Sequence, residues 1–397
     1  MNIRLVFVSA GVLLAASSFG GETLWVDRNA GVDADGRGGE TAPFVSIQAA
    51  VAAASDGATI KVRPGIYDNG GANDPDGRLN RVYVTGKKLK IVATGRKEET
   101  HIVGRHDTAT AEGFGPDAVR CVCIRGNAAL GTQIVGFTIR DGSSNNNNPT
   151  KDTVQDSGGG VLALDGNKKY FDTNAYVVDC VISNCVGIRA GATRGVTAVR
   201  CLITRNDASN SGSAGRNSSF VNCLITRNTG SSFLYEGTPK VYNCTLVNNY
   251  SRLYGADVRN SVVMNNNYND TIQFMSGPGF THSVTRLEGY DPKFDETVGD
   301  SSTSVTEAGN YQFLSPLYDD FRVLEGSETE TAGDAAELAR LSLPDDIDPY
   351  VDFFGNAIPK SGTIAAGCIQ TVVGRPQGGA FQFDDFRKIR TNGGTVY

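Results

Sequence analysis

Short apolar runs of seven or eight residues recur through the middle of the chain. Each run is rich in Val, Ile, Leu and Thr, holds a cysteine near its start and ends on an asparagine. The runs span residues 178–184, 199–206, 221–228 and 242–249, and a weaker copy without cysteine spans 259–266. A repeat this short cannot bury its own apolar face, so each copy must stack on its neighbours. Because these residue types favour strands, the pattern predicts stacked coils of short parallel strands, a β-helix.

The alternation within each run predicts which side chains point inward. Cys223 and Ile225 are two residues apart, so they share one face and are expected inside. The alternation breaks at the residue before each cysteine, where a bend is expected and where asparagine tolerates the left-handed conformation. The residues at this bend are Asp179, Arg200, Asn222, Asn243 and Asn260. Neighbouring bend asparagines are expected to bond to one another, and Asn206, Asn228 and Asn249 to form a second ladder at the next corner.

Elements before the repeats are also predicted by periodicity. Apolar Ile47, Ala50, Val51 and Ala54 follow helical spacing, and Ser46 is a suitable N-cap, so residues 46–54 are expected to form a helix. This helix would cover the open end of the first coil. Strands are predicted at 59–62, 82–84, 89–93, 121–124 and 134–139, and the polar residues 141–158 are predicted to form a long loop.

These features resemble the right-handed parallel β-helix proteins of the pectate-lyase-like superfamily. The sequence Asn-Cys-Thr-Leu-Val-Asn-Asn at 243–249 is typical of their coils, and residues 24–27, 42–51 and 60–67 are similar to their N-terminal entry. The segment from Phe354 to Gly367 resembles the closing segment of bacterial surface members, often called a choice-of-anchor domain. The resemblance covers roughly residues 22–370. It implies an all-β, right-handed, single-stranded parallel β-helix (solenoid) with a short N-terminal capping helix, and its motifs are architectural, so they do not specify an activity.

Four segments are expected along the chain. Arg4 and the apolar residues 5–16 are typical of a signal peptide, assigned to residues 1–20, and are too short for a membrane span. A β-helix with its N-terminal cap is assigned to 22–285, a closing segment to 286–374 and a polar, glycine-rich tail to 375–397. The protein is therefore expected to be secreted, periplasmic or on the cell surface, without a membrane span, and to be a monomer.

Charge and cysteine content narrow the possibilities further. The net charge of −6 argues against a nucleic-acid partner, which would require a basic face. Eight cysteines in an exported protein suggest disulfides. However, four of them recur one coil apart in the stacked runs, and inward-pointing stacked side chains rarely adopt the torsion that a disulfide needs. Unpaired interior thiols are the favoured interpretation, and disulfides remain the alternative.

A candidate binding strip lies on the strand that follows the closing asparagine of each coil. In members of the superfamily, the sugar polymer lies along a groove outside the parallel strands. The charged and aromatic residues of the strip here are Arg189, Arg194, Arg216, Tyr235, Glu236, Tyr254 and Asp257. Arginine binds carboxylates or sulfates through paired hydrogen bonds and tyrosine stacks on sugar rings, so the predicted partner is an acidic polysaccharide. The substrate-binding candidates are Arg189, Arg216, Tyr235 and Tyr254; the alternative is an ordinary solvated face.

Catalytic candidates come from the same strip. Glu236 and Asp257 are expected at similar places in successive coils, which makes them the candidate carboxylate pair of a glycoside hydrolase. A lyase would instead need a base to remove the proton next to a uronate carboxylate, and Arg194 is the candidate. The sequence contains neither the Asp-His pair of many pectate lyases nor the Gly-His-Gly motif of polygalacturonases. No sequence motif therefore supports either pectate lyase or polygalacturonase activity.

A calcium site is a further expectation. A lyase would need a cation to neutralise the uronate carboxylate, and Ca²⁺ prefers several carboxylate oxygens. Asp152, Asp156 and Asp179, with Asp141, are the candidate ligands because they could converge on one flank. Two functions consequently remain open, namely a secreted protein that binds and cleaves an acidic polysaccharide, and a non-catalytic surface or matrix rod.

Overall fold

The computed structural model describes most of the chain. It covers residues 19–30, 33–34, 36–144, 156–165, 175–264, 274–275, 279–285, 305–307, 313–315 and 320–374. Residues 1–18 of the expected signal peptide, the loop residues 145–155 and the expected tail at 375–397 lie outside this part. In the described residues, no helix is long and apolar enough to cross a membrane.

The described strands form three long sheets, and in each sheet most neighbouring strands come from successive coils. The first sheet contains Thr23–Val26, Thr59–Val62, Lys90–Ala93, Gln133–Val135, Tyr176–Val178, Thr197–Val199, Ser219–Val221, Lys240–Tyr242, Asp257–Arg259 and Gly279–Thr281. The second sheet contains Gly65–Tyr67, Thr100–Val103, Thr138–Arg140, Val181–Ser183, Leu202–Thr204, Leu224–Thr226, Thr245–Val247, Val262–Met264, Ser283–Thr285 and Val305–Glu307. The third sheet contains Ala72–Asn73, Leu79–Thr85, Arg120–Arg125, Val161–Leu164, Val186–Arg189, Thr193–Arg194, Asp207–Ser211, Gly215–Arg216, Thr229–Tyr235, Tyr250–Tyr254 and Phe274–Met275.

Successive strands of the repeats belong to the first, second and third sheet in turn. The fold is therefore the all-β parallel β-helix that the repeats predict. Among the described residues, the strands of these sheets pair in parallel, except that Ala72–Asn73 pairs antiparallel with Leu79–Thr85. In the second sheet, Ile203 pairs with Ile182 on one side and with Ile225 on the other, and Ile225 pairs in turn with Leu246. All four side chains are fully buried. The strands extend to Val305–Glu307, beyond the boundary expected at residue 285.

Sharp bends separate the first sheet from the second. The bend residues Asp179, Arg200, Asn222, Asn243 and Asn260 all have positive φ, as the sequence predicts. One predicted strand, at 134–139, is two strands, because Gly136 has φ 81° and forms the bend of an earlier coil. Glycine takes this conformation without steric cost, so it replaces asparagine there.

The asparagines that close the repeats form the expected ladder. Asn206 Nδ2 donates to Asn228 Oδ1 at 3.0 Å, and Asn228 Nδ2 donates to Asn249 Oδ1 at 2.8 Å. Their oxygens also accept the backbone N–H groups of Cys185, Asn206 and Asn228 from the preceding coil. These buried polar groups are therefore satisfied by their neighbours in the stack.

The stacked cysteines point into the core, and all eight thiols are free and buried. The backbone N–H of Cys201 donates to Cys223 Sγ, and that of Cys223 donates to Cys244 Sγ, both at 3.4 Å. Ser261 continues this line by accepting from Cys244 N at 3.0 Å. Burial, and then the neighbouring Cys201 thiol, raises the pKa of both Cys180 and Cys223. The prediction of unpaired interior thiols is confirmed.

A short helix caps the N-terminal end of the β-helix. The helix spans Ile47–Ala53, and the Ser46 side chain accepts from Ala49 N at 3.1 Å, which is the predicted N-cap bond. Ile47, Ala50 and Val51 are buried and belong to the same continuous core as the inward-facing strand residues. The helix thus covers apolar surface that the first coil would otherwise expose.

The C-terminal segment, residues 320–374, lies against the outer faces of the first and second sheets. It contains the 3-10 helices Glu328–Thr331 and Ala335–Arg340, and strands Asp320–Leu324 and Val372–Val373 pair with each other. Strand Phe313–Ser315 pairs with Asp320–Leu324, and strands Gly333–Asp334 and Thr363–Ile364 form a separate pair. A further 3-10 helix, Asn127–Ala129, lies within the coils.

Apolar packing holds this segment against the β-helix. Ile347 packs on Tyr176, Val178, Val199 and Val221 of the first sheet. The segment's Ala366, Cys368 and Ile369 pack on outward-facing residues of the second sheet, including Val247 and Val262. The outer faces of two of the three sheets are therefore covered over much of their length.

The bend asparagines only partly form the expected ladder. Asn243 Nδ2 donates to Asn222 Oδ1 at 2.6 Å, which is the predicted bond. Asn222 Nδ2 donates instead to the carbonyls of Pro349 and Val351, each at 2.8 Å. Asn260 Nδ2 donates to Asp334 O at 2.7 Å and its Oδ1 accepts from Asp334 N at 2.9 Å. These amides bind the C-terminal segment rather than the next coil.

Candidate functional site

One line of outward-facing residues runs along the third sheet and contains most of the predicted strip. Strand pairing aligns these residues coil by coil, and we call them the outer file. The outer file comprises Tyr83, Cys123, Leu162, Arg194, Arg216, Tyr235 and Tyr254. Cys123, Leu162 and Tyr83 form a small apolar cluster separate from the main core, as expected for the outer face of the sheet. Four predicted strip residues are therefore brought into one line.

A compact polar and aromatic group lies at the C-terminal end of the outer file. It consists of Arg216, Tyr235 and Tyr254 from the file and the adjacent Glu236, and we call it the tyrosine platform. The rings of Tyr235 and Tyr254 lie 4.9 Å apart at an interplanar angle of 39°. The Arg216 guanidinium lies 5.3 Å from the Tyr235 ring centre, and Arg216 Nε donates to Glu236 Oε2 at 2.6 Å. Both tyrosines are half-buried, so each residue is partly accessible to solvent while the two rings pack against each other.

The strip arginines nearer the middle of the chain are not exposed. Arg194 is fully buried and donates to Ser157 Oγ, so the expectation that it lies on an open groove is not met. Arg189 Nη1 lies 3.3 Å from Asp156 Oδ2, whose side chain is fully buried. Each guanidinium therefore already has a partner within the protein, and a surface polymer cannot reach Arg194.

The two candidate catalytic carboxylates lie on different elements. Glu236 follows the third-sheet strand Thr229–Tyr235, whereas Asp257 begins a first-sheet strand and pairs with Lys240. The two residues are thus not at equivalent positions of successive coils, which corrects the register expected from sequence. Asp257 accepts from the Tyr242 hydroxyl at 2.8 Å and from Arg259 Nε at 2.9 Å.

The environment of Tyr242 shows how firmly Asp257 is engaged. Burial, and then the hydrogen bond to Asp257, raises the pKa of Tyr242 to about 12. The phenol therefore remains protonated and keeps donating to this carboxylate at neutral pH. Asp257 is thus held by a phenol and a guanidinium from its own sheet.

The predicted calcium ligands are not gathered within the described residues. Asp152 lies outside them, and Asp156 is engaged by Arg189. Asp179 lies at the bend between the first and second sheets, where Arg200 binds its two oxygens at 2.7 and 3.0 Å. The part of the chain that the structure describes contains no group of three or more His, Cys, Asp or Glu side chains arranged for a metal ion. Calcium binding therefore stays a prediction.

A buried charged group beside the third sheet was missed at the sequence level. Arg120 is fully buried and donates to Ser157 O at 2.8 Å, Asn80 Oδ1 at 2.9 Å and Asp74 Oδ2 at 3.4 Å. Burial, and then the neighbouring Arg120, lowers the pKa of Arg78 to about 10. The only sequence signal is the charged turn at 74–78, which does not indicate that its charges are buried.

The histidines and the cavity lie away from the tyrosine platform. His101 Nε2 is 2.8 Å from a backbone carbonyl, and His106 Nε2 is 2.9 Å from another. His282 borders a cavity of about 500 Å³ between a bend and the C-terminal segment, lined also by Glu328 and Asp334. None of these groups lies on the outer file. The tyrosine platform is taken as the candidate site because it brings four predicted strip residues together.

Comparison with known proteins identifies similar structures but no sequence relatives. No family model and no curated protein matches the sequence. A pectate lyase shares 14% identity with a TM-score of 0.45, over 88% of this chain and 96% of that chain. A rhamnogalacturonan lyase shares 13% identity with a TM-score of 0.39, over 82% of this chain and 94% of that chain. A pectin methylesterase in complex with a hexasaccharide shares 15% identity with a TM-score of 0.28, over 66% and 70%. At these values no activity can be transferred from them to this chain.

Proposed function

We propose that this protein is an exported polysaccharide-binding β-helix protein and that the tyrosine platform contacts the polymer. The observation that supports this most is the alignment of Arg216, Tyr235 and Tyr254 along the direction in which the coils stack. A polymer is a line of repeating units, and a line of side chains spaced by coils can contact several of them. Partly exposed tyrosine rings supply rigid apolar contact area with a polar tip.

The location of the platform supports the same proposal. Residues 320–374 cover apolar outward-facing residues of the first and second sheets. Tyr235, Glu236 and Tyr254 on the third sheet remain partly exposed. The signal-peptide pattern of residues 1–20 supports export, which would place the protein in the periplasm, on the cell surface or in the medium, where such polymers occur.

Binding without cleavage is the form of this function that the site favours. Glu236 is bonded to Arg216, and Asp257 is bonded to Tyr242 and Arg259 on another sheet. Two carboxylates in a hydrolase must instead flank one glycosidic bond, about 5–9 Å apart, with one able to take or give a proton. The candidate lyase base Arg194 is buried. A rod that holds a glycan is therefore preferred to a lyase or hydrolase.

Affinity electrophoresis against a panel of acidic and neutral polysaccharides tests this function. The parent protein should be retarded by at least one polymer, and Tyr235→Ala and Tyr254→Ala should each weaken binding about tenfold, or about 1.4 kcal/mol. Tyr83→Ala, at the opposite end of the outer file, is the matched control and should bind like the parent. Retardation by no polymer, or equal binding by all three variants, would refute the proposal.

Incubation of the parent with the bound polymer tests the preference for binding over cleavage. Neither unsaturated products, followed by absorbance, nor new reducing ends should accumulate. Steady product formation that Glu236→Gln or Arg194→Lys abolishes would show that the site is catalytic.

A further inference from the structure

We propose that the tyrosine platform binds a sugar unit that carries hydroxyl groups and no anionic group, so that the polymer recognised there is not a uronate chain. This inference rests on the proposed function, because it specifies the chemistry of the ligand at the same surface. It departs from the sequence expectation of an acidic polysaccharide, which depended on arginines being free to bind carboxylates.

The charge that the platform presents to solvent is negative. The Arg216 side chain is 7% exposed, whereas that of Glu236 is 38% exposed. Arg216 directs Nε to the Glu236 carboxylate and places its guanidinium over the Tyr235 ring. A uronate carboxylate approaching the tyrosines would therefore meet a carboxylate before it met the guanidinium, and like charges at close range repel.

The same groups are suited to a neutral sugar. Oxygens of the Glu236 carboxylate accept hydrogen bonds from donors, and sugar hydroxyls are donors. The Arg216 guanidinium and the Tyr254 ring lie against the Tyr235 ring from the two neighbouring coils. The parts of Tyr235 and Tyr254 that remain accessible offer apolar contact area for the C–H groups of a sugar ring. The platform thus combines one acceptor that faces solvent with two aromatic surfaces, and a ligand that fits needs donors and an apolar face but no negative charge.

The other two predicted strip arginines, Arg194 on the outer file and Arg189 outside it, do not offset this repulsion. Arg194 is fully buried, and Arg189 is engaged by the buried Asp156. The chain as a whole carries a net charge of −6, which also disfavours approach of a polyanion. Local and overall electrostatics therefore favour the same class of ligand.

Affinities for polygalacturonate and for a panel of soluble neutral polymers, xylan, mannan and glucan, test the inference at low ionic strength. The parent should bind at least one neutral polymer and should bind polygalacturonate at least about tenfold more weakly. Glu236→Gln removes the negative charge and preserves the shape and an acceptor oxygen. It should raise the affinity for polygalacturonate at least about fivefold, in a salt-sensitive manner, and change that for the neutral polymer by less than about threefold. Glu112→Gln, an exposed carboxylate on another loop, should change neither affinity.

The outcomes separate this inference from the proposed function. A parent protein that prefers polygalacturonate, or a Glu236→Gln variant with an unchanged preference, would overturn the inference while leaving polysaccharide binding intact. Binding to none of the polymers would overturn the proposed function itself.

Discussion

At the scale of single residues, this protein is stabilised by identical side chains that stack at one position per coil. Asn228 illustrates the principle, because its oxygen accepts from Asn206 while its nitrogen donates to Asn249 and to Ile203 O. Each side-chain amide in the interior of such a line forms hydrogen bonds with the asparagines on both sides. Removing one amide therefore leaves polar groups on both sides without hydrogen-bond partners. An unsatisfied buried polar group costs more than an average hydrogen bond contributes.

Asn228→Ala should therefore lower the free energy of unfolding by about 1–3 kcal/mol for each group left unsatisfied. Asn210→Ala changes an exposed asparagine of the neighbouring third-sheet strand and should shift it by less than about 0.5 kcal/mol. Urea denaturation of the two variants and the parent, followed by circular dichroism, provides the comparison. Coincident midpoints for all three proteins would mean that the ladder does not contribute to stability.

At the scale of elements, each coil is stable only against its neighbours. Ile225 is fully buried and pairs with Ile203 on one side and Leu246 on the other, so a defect in one coil affects both adjacent coils. In such a stack, the stability of each coil depends mainly on its interfaces with the two adjacent coils. Destabilising one coil therefore weakens its neighbours as well.

Ile225→Asp should unfold several coils, because a buried, uncompensated carboxylate costs several kcal/mol. Ile225→Val keeps the residue apolar and should cost only about 1 kcal/mol. Hydrogen exchange should accelerate in Leu202–Thr204 and Thr245–Val247 in the first variant and change little in the second. Acceleration confined to the mutated strand would contradict nearest-neighbour coupling.

The element scale also shows why the coils could be predicted from sequence and the site only in part. The inward residues and the left-handed bends repeat in register, so the sheets, the cap and the cysteine line follow from the pattern. Four members of the outer file, from Arg194 to Tyr254, also follow, because they lie at equivalent points of the repeat. The register of Asp257 with Lys240 does not, because the chain between Glu236 and Lys240 has its own turn, with Glu236 and Thr238 at positive φ. Burial of Arg194 is a tertiary property that its own strand cannot reveal.

At the scale of the whole molecule, the C-terminal segment determines which surface stays available. Its sequence shows no repeat, so its position over two sheets could not be predicted from periodicity. Besides apolar packing, it is held by polar contacts at its edge, where Asp346 accepts from Lys90 Nζ at 2.8 Å and from Gln133 Nε2 at 2.9 Å.

Asp346→Asn should reduce the acid sensitivity of this attachment. Burial alone would raise the pKa of Asp346, but the bonds from Lys90 and Gln133 hold it below the ordinary value of 3.8. Because the folded pKa is depressed, the stabilisation is present above about pH 4 and is lost as the pH falls through the folded value. The carboxylate is partly exposed, so the effect should be less than about 1 kcal/mol.

Thermal midpoints at pH 7 and pH 3 measure this effect, with Asp345→Asn, an exposed neighbour, as the control. The parent and the control should lose more stability on acidification than Asp346→Asn. An equal loss in all three proteins would show that the Asp346 contacts are not formed.

Hydrogen exchange of the protein with and without a bound polysaccharide tests most directly the claim that the third sheet holds the ligand. Exchange in Thr229–Tyr235 and Tyr250–Tyr254 should slow on binding, because the polymer covers the tyrosine platform. Exchange in residues 335–350, which cover the first sheet, should stay unchanged. Protection of residues 335–350 with no change in the two third-sheet strands would contradict the account.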